Sequence, residues 1–240
     1  MKYDLHIHSC LSPCGDEDMT PNNIAGMAML NGIRLAALTD HNSTLNCPAF
    51  FKACENVGVV PVAGMELTTA EEIHMVCLFP DLESAMAFGE FVSQNSMKIP
   101  NRPDIFGHQI IMNENDEEIG RESSLLIMAT NLDVVTAFNE VIKRGGAAFP
   151  AHVDKTANGI ISILGDFPPE PGFTAAEFHN IELADEYMDK YPNINGKILI
   201  NDTDSHMLTS MSLSPPEMPI PEGYDDEIRK SLIRYLKGEM

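Results

Sequence analysis

The chain has 240 residues, 44% of them hydrophobic, enough for a sizeable core and ordinary for one α/β barrel. A net charge of −21, from 36 acidic and 15 basic residues, disfavours a polymeric nucleic-acid partner or an anionic membrane. No apolar run approaches the roughly 18 residues that span a bilayer, and no basic-then-apolar leader is present. Five Cys, an odd number without regular pairing, read as reduced thiols and predict a cytoplasmic protein.

In chain order, residues 2–8 read as a strand. Residues 22–32 follow as a helix opened by Thr20-Pro21. A short buried strand covers 35–40, and a helix over 49–57 stops at Gly58. Strands are predicted at 59–66 and 73–79, then a helix at 82–95. Residues 98–120, rich in Asn, Asp and Glu, read as an irregular insert or lid within a single domain spanning 1–240. An amphipathic helix over 132–144 ends at Gly145-Gly146. Strands at 147–151, 175–179 and 197–202 and a helix near 225–238 complete the chain. The alternation of strand and helix predicts a largely parallel sheet, and the polar residues at strand ends favour a barrel over an open sheet.

Seven of the eight His fall in or at the end of a predicted strand: His6, His8, His41, His74, His152, His179 and His206. Glu66 and Asp204 do the same, and only His108 stands apart. In a parallel barrel such ends converge on one face. His6 and His8, two apart on a strand, point to one side, with Asp4 one step deeper as a candidate partner for a ligating ring. So many imidazoles and carboxylates in one place would repel or stay unsatisfied without a cation. Nitrogen and oxygen donors suit Zn, Mn or Fe. Cys10 and Cys14 lie near this pair, but their spacing fits no common zinc module.

Six segments carry a resemblance to the PHP (polymerase and histidinol phosphatase) family: DLHIHS at 4–9, LTDHN at 38–42, GMEL at 64–67, EIHMVCLF at 72–79, PAHVDK at 150–155 and NDTDSH at 201–206. They stand in the family's order. The resemblance implies an α/β fold, a distorted (β/α)7 TIM-like barrel, holding two or three divalent ions. It implies that His6, His8, Glu66 and Asp204 hold one ion, Glu66, His74 and His152 a second, and Asp16, His41 and His206 a third. Asp18 or Glu17 stand as substitutes for Asp16. The function implied is metal-dependent hydrolysis of a small phosphorylated metabolite or nucleotide by metal-bound hydroxide. Lys155 is then the candidate phosphate contact. His179 is the candidate phosphate or leaving-group contact, and Arg102 and His108 are candidates to reach in from the insert. The other readings are a non-catalytic metal-binding regulatory module and a hydrolase of non-phosphate substrates.

Overall fold

The computed structural model of the chain describes residues 1–240. Three strands, β1 (Tyr3–Ile7), β2 (Leu35–Leu38) and β3 (Val60–Thr68), pair in parallel in that order. They are joined by α1 (Pro21–Leu30) and α2 (Cys47–Val57). The side chain of Thr20 caps α1 by accepting from the Asn23 N–H. Helix α2 ends where Gly58 turns left-handed at φ 75°.

The fourth strand, β4 (His74–Phe79), runs antiparallel to β3, pairing His74 with Thr68 and Phe79 with Ala63. A largely parallel sheet was the expectation, and the reason for the difference is the connection. Only residues 69–73 separate the two strands, whereas a parallel crossover needs a dozen or more.

After α3 (Leu82–Gln94) the insert holds a short helix, α4 (Pro103–Phe106), and an antiparallel hairpin of β5 (Ile110–Met112) and β6 (Glu118–Arg121). Helix α5 (Val134–Lys143) leads to β7 (Ala147–Pro150), antiparallel to β4 and so aligned with β1 to β3. After α6 (Ile160–Leu164), β8 (Ala175–Glu177) pairs in parallel with β9 (Ile198–Ile200) across α7 (Ala184–Lys190). The last helix is α8 (Asp225–Leu236).

Backbone bonds beyond the regular ladders bring the strands round into a ring. Val153 N–H donates to Glu177 C=O at 2.8 Å, joining the end of β7 to β8. His8 N–H donates to Ser205 C=O at 2.9 Å, joining the exit of β9 to β1. The result is a distorted TIM-like barrel of seven strands, one of them reversed.

Two apolar layers follow from the alternation of side chains along the strands. Leu35, Ala37, Val60, Val62, Val76, Leu78 and Phe149 form an inner cluster, closed from one end by Ile228, Leu232 and Leu236 of α8. Leu38, Ala63, Met65, Leu67 and Cys77 face outward into the helices. The inner face is apolar only over its first part. Continue by twos from Leu35 and Ala37 and it reaches His41. From Val60 and Val62 it reaches Glu66, and back from Leu78 and Val76 it reaches His74.

Candidate metal centre

Glu66 stands at the middle of this polar end. Its Oε1 lies 2.8 Å from His74 Nδ1, 3.2 Å from His152 Nε2 and 3.4 Å from His6 Nε2. Its Oε2 lies 3.1 Å from His41 Nδ1 and 3.3 Å from His8 Nε2. Asp204 Oδ1 is 3.4 Å from His6 Nε2 and 3.3 Å from His8 Nε2. All of these groups except Asp204 are buried, and Asp204 nearly so.

The reversal of β4 explains how His74 arrives. It is the first residue of its strand, and an antiparallel strand begins at the end where its parallel neighbours finish. Two ligand candidates sit on left-handed backbone, His152 at φ 29° and Asp204 at φ 49°, with Asn42 beside His41 at φ 48°. Such positions cost about 1–3 kcal/mol each and concentrate where function over-determines the backbone. Asn42 is held on both sides. Its amide donates to Leu126 and Met128 carbonyls, and its Oδ1 accepts from Thr68 N–H.

Three rings are pinned through Nδ1, which leaves Nε2 as the free lone pair. His6 Nδ1 donates to Glu177 Oε2 at 2.9 Å. His8 Nδ1 donates to Ser12 Oγ at 3.0 Å, and Ser12 donates to the buried Asp40 carboxylate at 2.7 Å. His206 Nδ1 donates to the Asp204 carbonyl at 2.7 Å.

Asp4 does not hold the His6 ring. It accepts from Thr203 Oγ1 at 2.6 Å and from the backbone N–H of His6. The cause is an irregularity in β1 between Asp4 and Ile7 that breaks the period of two. Leu5 joins the inner cluster and Ile7 the outer one, although both are odd-numbered positions. No motif in the sequence marks the ring partner, Glu177, a carboxylate two residues before His179. Its signal is its place on the inward face of β8 after Ala175.

Burial disfavours charge on His6, but the Glu177, Glu66 and Asp204 carboxylates outweigh it and raise its pKa well above the ordinary value. Burial likewise opposes charge on His8, yet the adjacent Asp204 and Glu66 carboxylates raise it to about 9. Burial lowers His206 to about 4, helped by the charge on His8. Glu66 is held well below the carboxylate range because His74, His6 and His41 outweigh its burial. Without ions the cluster therefore borrows protons as its cations.

Polar atoms remain without a partner even so. His41 Nδ1, His152 Nδ1 and Asp204 Oδ1 are buried and make no hydrogen bond. That is the pattern expected of a cage built for cations rather than for its own side chains. Two overlapping groups have one ligating atom from each residue mutually within 4.8 Å: His6, His8, Glu66 and Asp204, and then His41, Glu66 and His74.

The third position differs from expectation. The structure does not bring Asp16 into the cluster. Its side chain is exposed and its carboxylate accepts from the Asp18 N–H. Glu17 and Asp18 are exposed as well. Cys14 comes in instead, its Sγ and one ring nitrogen each of His8, His41 and His206 lying within 4.8 Å of one another. A tight turn produces this. Gly15 N–H donates to Ser12 C=O, and a side chain at Gly15 would meet the Ser9 carbonyl oxygen at 2.3 Å. Cys10 is elsewhere, buried with its Sγ 3.8 Å from the Ile110 carbonyl.

Lys155 stands at the rim with its Nζ 2.7 Å from Asp204 Oδ2. His179 is exposed, and its backbone N–H donates to the carboxylate of Asp154 at 2.8 Å. Arg102 pairs with Asp104 and His108 with Arg121, so neither is engaged with the cluster.

The PHP domain family model matches residues 4–167, and the chain belongs to that family. It is 26% identical over 208 residues to a 5'-3' exoribonuclease of Haemophilus influenzae, covering 69% of this chain and 75% of that protein. An amidohydrolase from Chromobacterium violaceum, solved with bound sulfate and no metal, shares the fold at TM-score 0.58 and 18% identity, over 100% of this chain and 97% of that one. So does the lesion-specific endonuclease Q of Pyrococcus furiosus, at TM-score 0.58 and 19% identity, over 86% of this chain. The chain spans about half (48%) of that endonuclease's length.

These relatives correct one inference from composition. The charge of −21 disfavoured a polymeric nucleic-acid partner, yet proteins similar to this chain are named a lesion-specific endonuclease and an exoribonuclease. Net charge describes the whole surface. It does not fix the local sign at one site, where a lysine, Lys155, stands at the rim.

Proposed function

We propose that this protein is a metal-dependent hydrolase of phosphoesters, acting on a phosphorylated metabolite or a nucleotide phosphoester, whether free or carried in a nucleic acid. The observation that carries this reading is Glu66, one buried carboxylate within 3.4 Å of five imidazoles at the mouth of a barrel. His6, His8, Glu66 and Asp204 would hold one ion, and Glu66, His74 and His152 a second. When bound, divalent ions acidify water and neutralise the oxygens of a phosphoryl group. Zn, Mn and Fe suit these donors.

The chain's own residues supply the rest. Glu177 and the Ser12–Asp40 pair fix the rings of His6 and His8 so that both present Nε2. Lys155, the cation already at the rim, binds a phosphoryl oxygen once Asp204 is occupied by an ion. Asp154 ties the backbone of His179 beside the Lys155 loop, and His179 from there protonates the leaving oxygen. The name of the exoribonuclease relative supports the nucleotide end of the substrate range.

The test is phosphate release by the metal-loaded chain from p-nitrophenyl phosphate, a phospho-metabolite panel, mononucleotides and short oligonucleotides. Hydrolysis that disappears with chelator and returns with metal is the expected result. A loaded protein inactive on every member would sink the reading. Lys155→Ala is expected to weaken kcat/KM by about 10–100-fold through the lost charge-assisted contact, on the order of 1.5–3 kcal/mol.

A further inference from the structure

We propose that Cys14 is a thiolate ligand of a third metal ion, which it holds together with His41 and His206 where an acidic oxygen donor was expected. This rests on the metal centre proposed above and concerns only the donor set at one of its positions.

Three observations converge. Cys14 Sγ falls within 4.8 Å of ring nitrogens of His8, His41 and His206, while Asp16, Glu17 and Asp18 face solvent. His8 has its Nδ1 committed to Ser12 and its Nε2 beside Glu66 and Asp204, so it belongs to the first ion. His206 has its Nδ1 committed to the Asp204 carbonyl and offers Nε2, and the buried His41 has an Nδ1 with no hydrogen-bond partner. Cys14, His41 and His206 are then left as one thiol and two imidazoles. Three protein ligands leave a position open, as catalytic sites do. The Gly15 turn places the sulfur there by a backbone contact too close for any other residue.

Binding replaces the S–H bond of Cys14 with a metal–sulfur bond, and the proton leaves to solvent. A thiolate shifts the preference of this position toward zinc or ferrous iron and away from magnesium and manganese. It also exposes the centre to oxidants, since Cys14 lies at the surface.

Zinc K-edge absorption on the fully loaded chain tests this. The expected spectrum contains a sulfur shell at about 2.3 Å beside nitrogen and oxygen at about 2.0–2.1 Å. In Cys14→Ser the sulfur shell disappears and bound zinc falls by one ion per chain. As an independent reading on the unaltered protein, zinc should slow alkylation of Cys14 by iodoacetamide by about tenfold or more, because the ligated thiolate is blocked. Zinc bound with only nitrogen and oxygen neighbours, a sulfur shell that survives in Cys14→Ser, or alkylation indifferent to zinc would each overturn the thiolate and leave the metal centre standing. A protein that binds no metal at all would overturn both.

Discussion

Glu177 and Asp4 are both buried carboxylates beside His6, and their roles separate on geometry alone. Glu177 accepts from the His6 ring, whereas Asp4 reaches the His6 backbone and Thr203. Partners of a ligating imidazole typically contribute 10–100-fold to metal affinity. Glu177→Gln is therefore expected to weaken the first ion by about 10–100-fold in competition with a chelator, and Asp4→Asn by clearly less. Equal losses would show that the ring contact carries no special weight. Asp202 makes a second residue-scale case. Burial, then the charges of Asp4 and Glu177, raise its pKa well above the ordinary value, and its Oδ2 has no partner. The unfolded chain gives up this proton first as pH rises, so stability is lost through the window up to the raised folded pKa. Asp202→Asn removes that loss while keeping an acceptor for the Leu5 N–H. The metal-free variant should melt higher than the parent at pH 8, by roughly 2–4 °C for each kcal/mol regained, with the difference shrinking toward pH 5. A difference that grows on acidification would contradict the assignment.

At the scale of elements, the centre is the place where inward faces run out of apolar residues, and this sets what the barrel tolerates. Gly64 lies on the inner face of β3 between Val62 and Glu66. A Cβ there would meet Leu78 Cδ2 at 2.7 Å and the Cys77 carbonyl oxygen at 2.8 Å. The carbonyl belongs to the β4 ladder and cannot yield. Gly64→Ala is expected to cost about 1–3 kcal/mol in urea unfolding, the usual range for overpacking, and to loosen Glu66 with it. The same elements show what could be read from sequence. Every strand of the barrel and its five longest helices follow from apolar runs, caps and glycines, and the strand-end His and carboxylate positions converge apart from the exposed His179. The reversal of β4 is legible in the connection between strands 59–66 and 73–79, which is too short for a parallel crossover. Two other features were not legible. The irregularity in β1 that turns Asp4 from the ring, and the Gly15 turn that brings Cys14 rather than Asp16 beside His8, His41 and His206, are made by backbone contacts with Ser9 and with β2 that no local pattern encodes.

For the whole molecule, the question is how a chain of charge −21 arranges cations at one end of a barrel. In the metal-free state the positive charge at the centre resides on imidazoles, with His8 titrating at about 9 and His6 higher than its ordinary value. Ligation needs both rings neutral. Metal and protons therefore compete for the same nitrogen atoms, and the sign follows directly. The raised pKa values of His6 and His8 mean that loading must expel protons from these rings, so uptake releases protons and apparent affinity rises with pH through the His8 pKa of about 9. Titration calorimetry in buffers of different ionisation enthalpy reads this release, and uptake that is independent of buffer and pH would show that the rings were neutral beforehand. Loading should also stabilise the fold, because the unfolded chain has no preformed cage. At a free metal concentration 100 times Kd the gain is about 2.7 kcal/mol, or roughly 5–11 °C in Tm for a chain of this size. The gain should shrink as pH falls from 8 to 6, since protons then satisfy Glu66 and Asp204 in place of the ions. A stabilisation equal at both pH values would mean that the ions bind somewhere other than the imidazoles around Glu66.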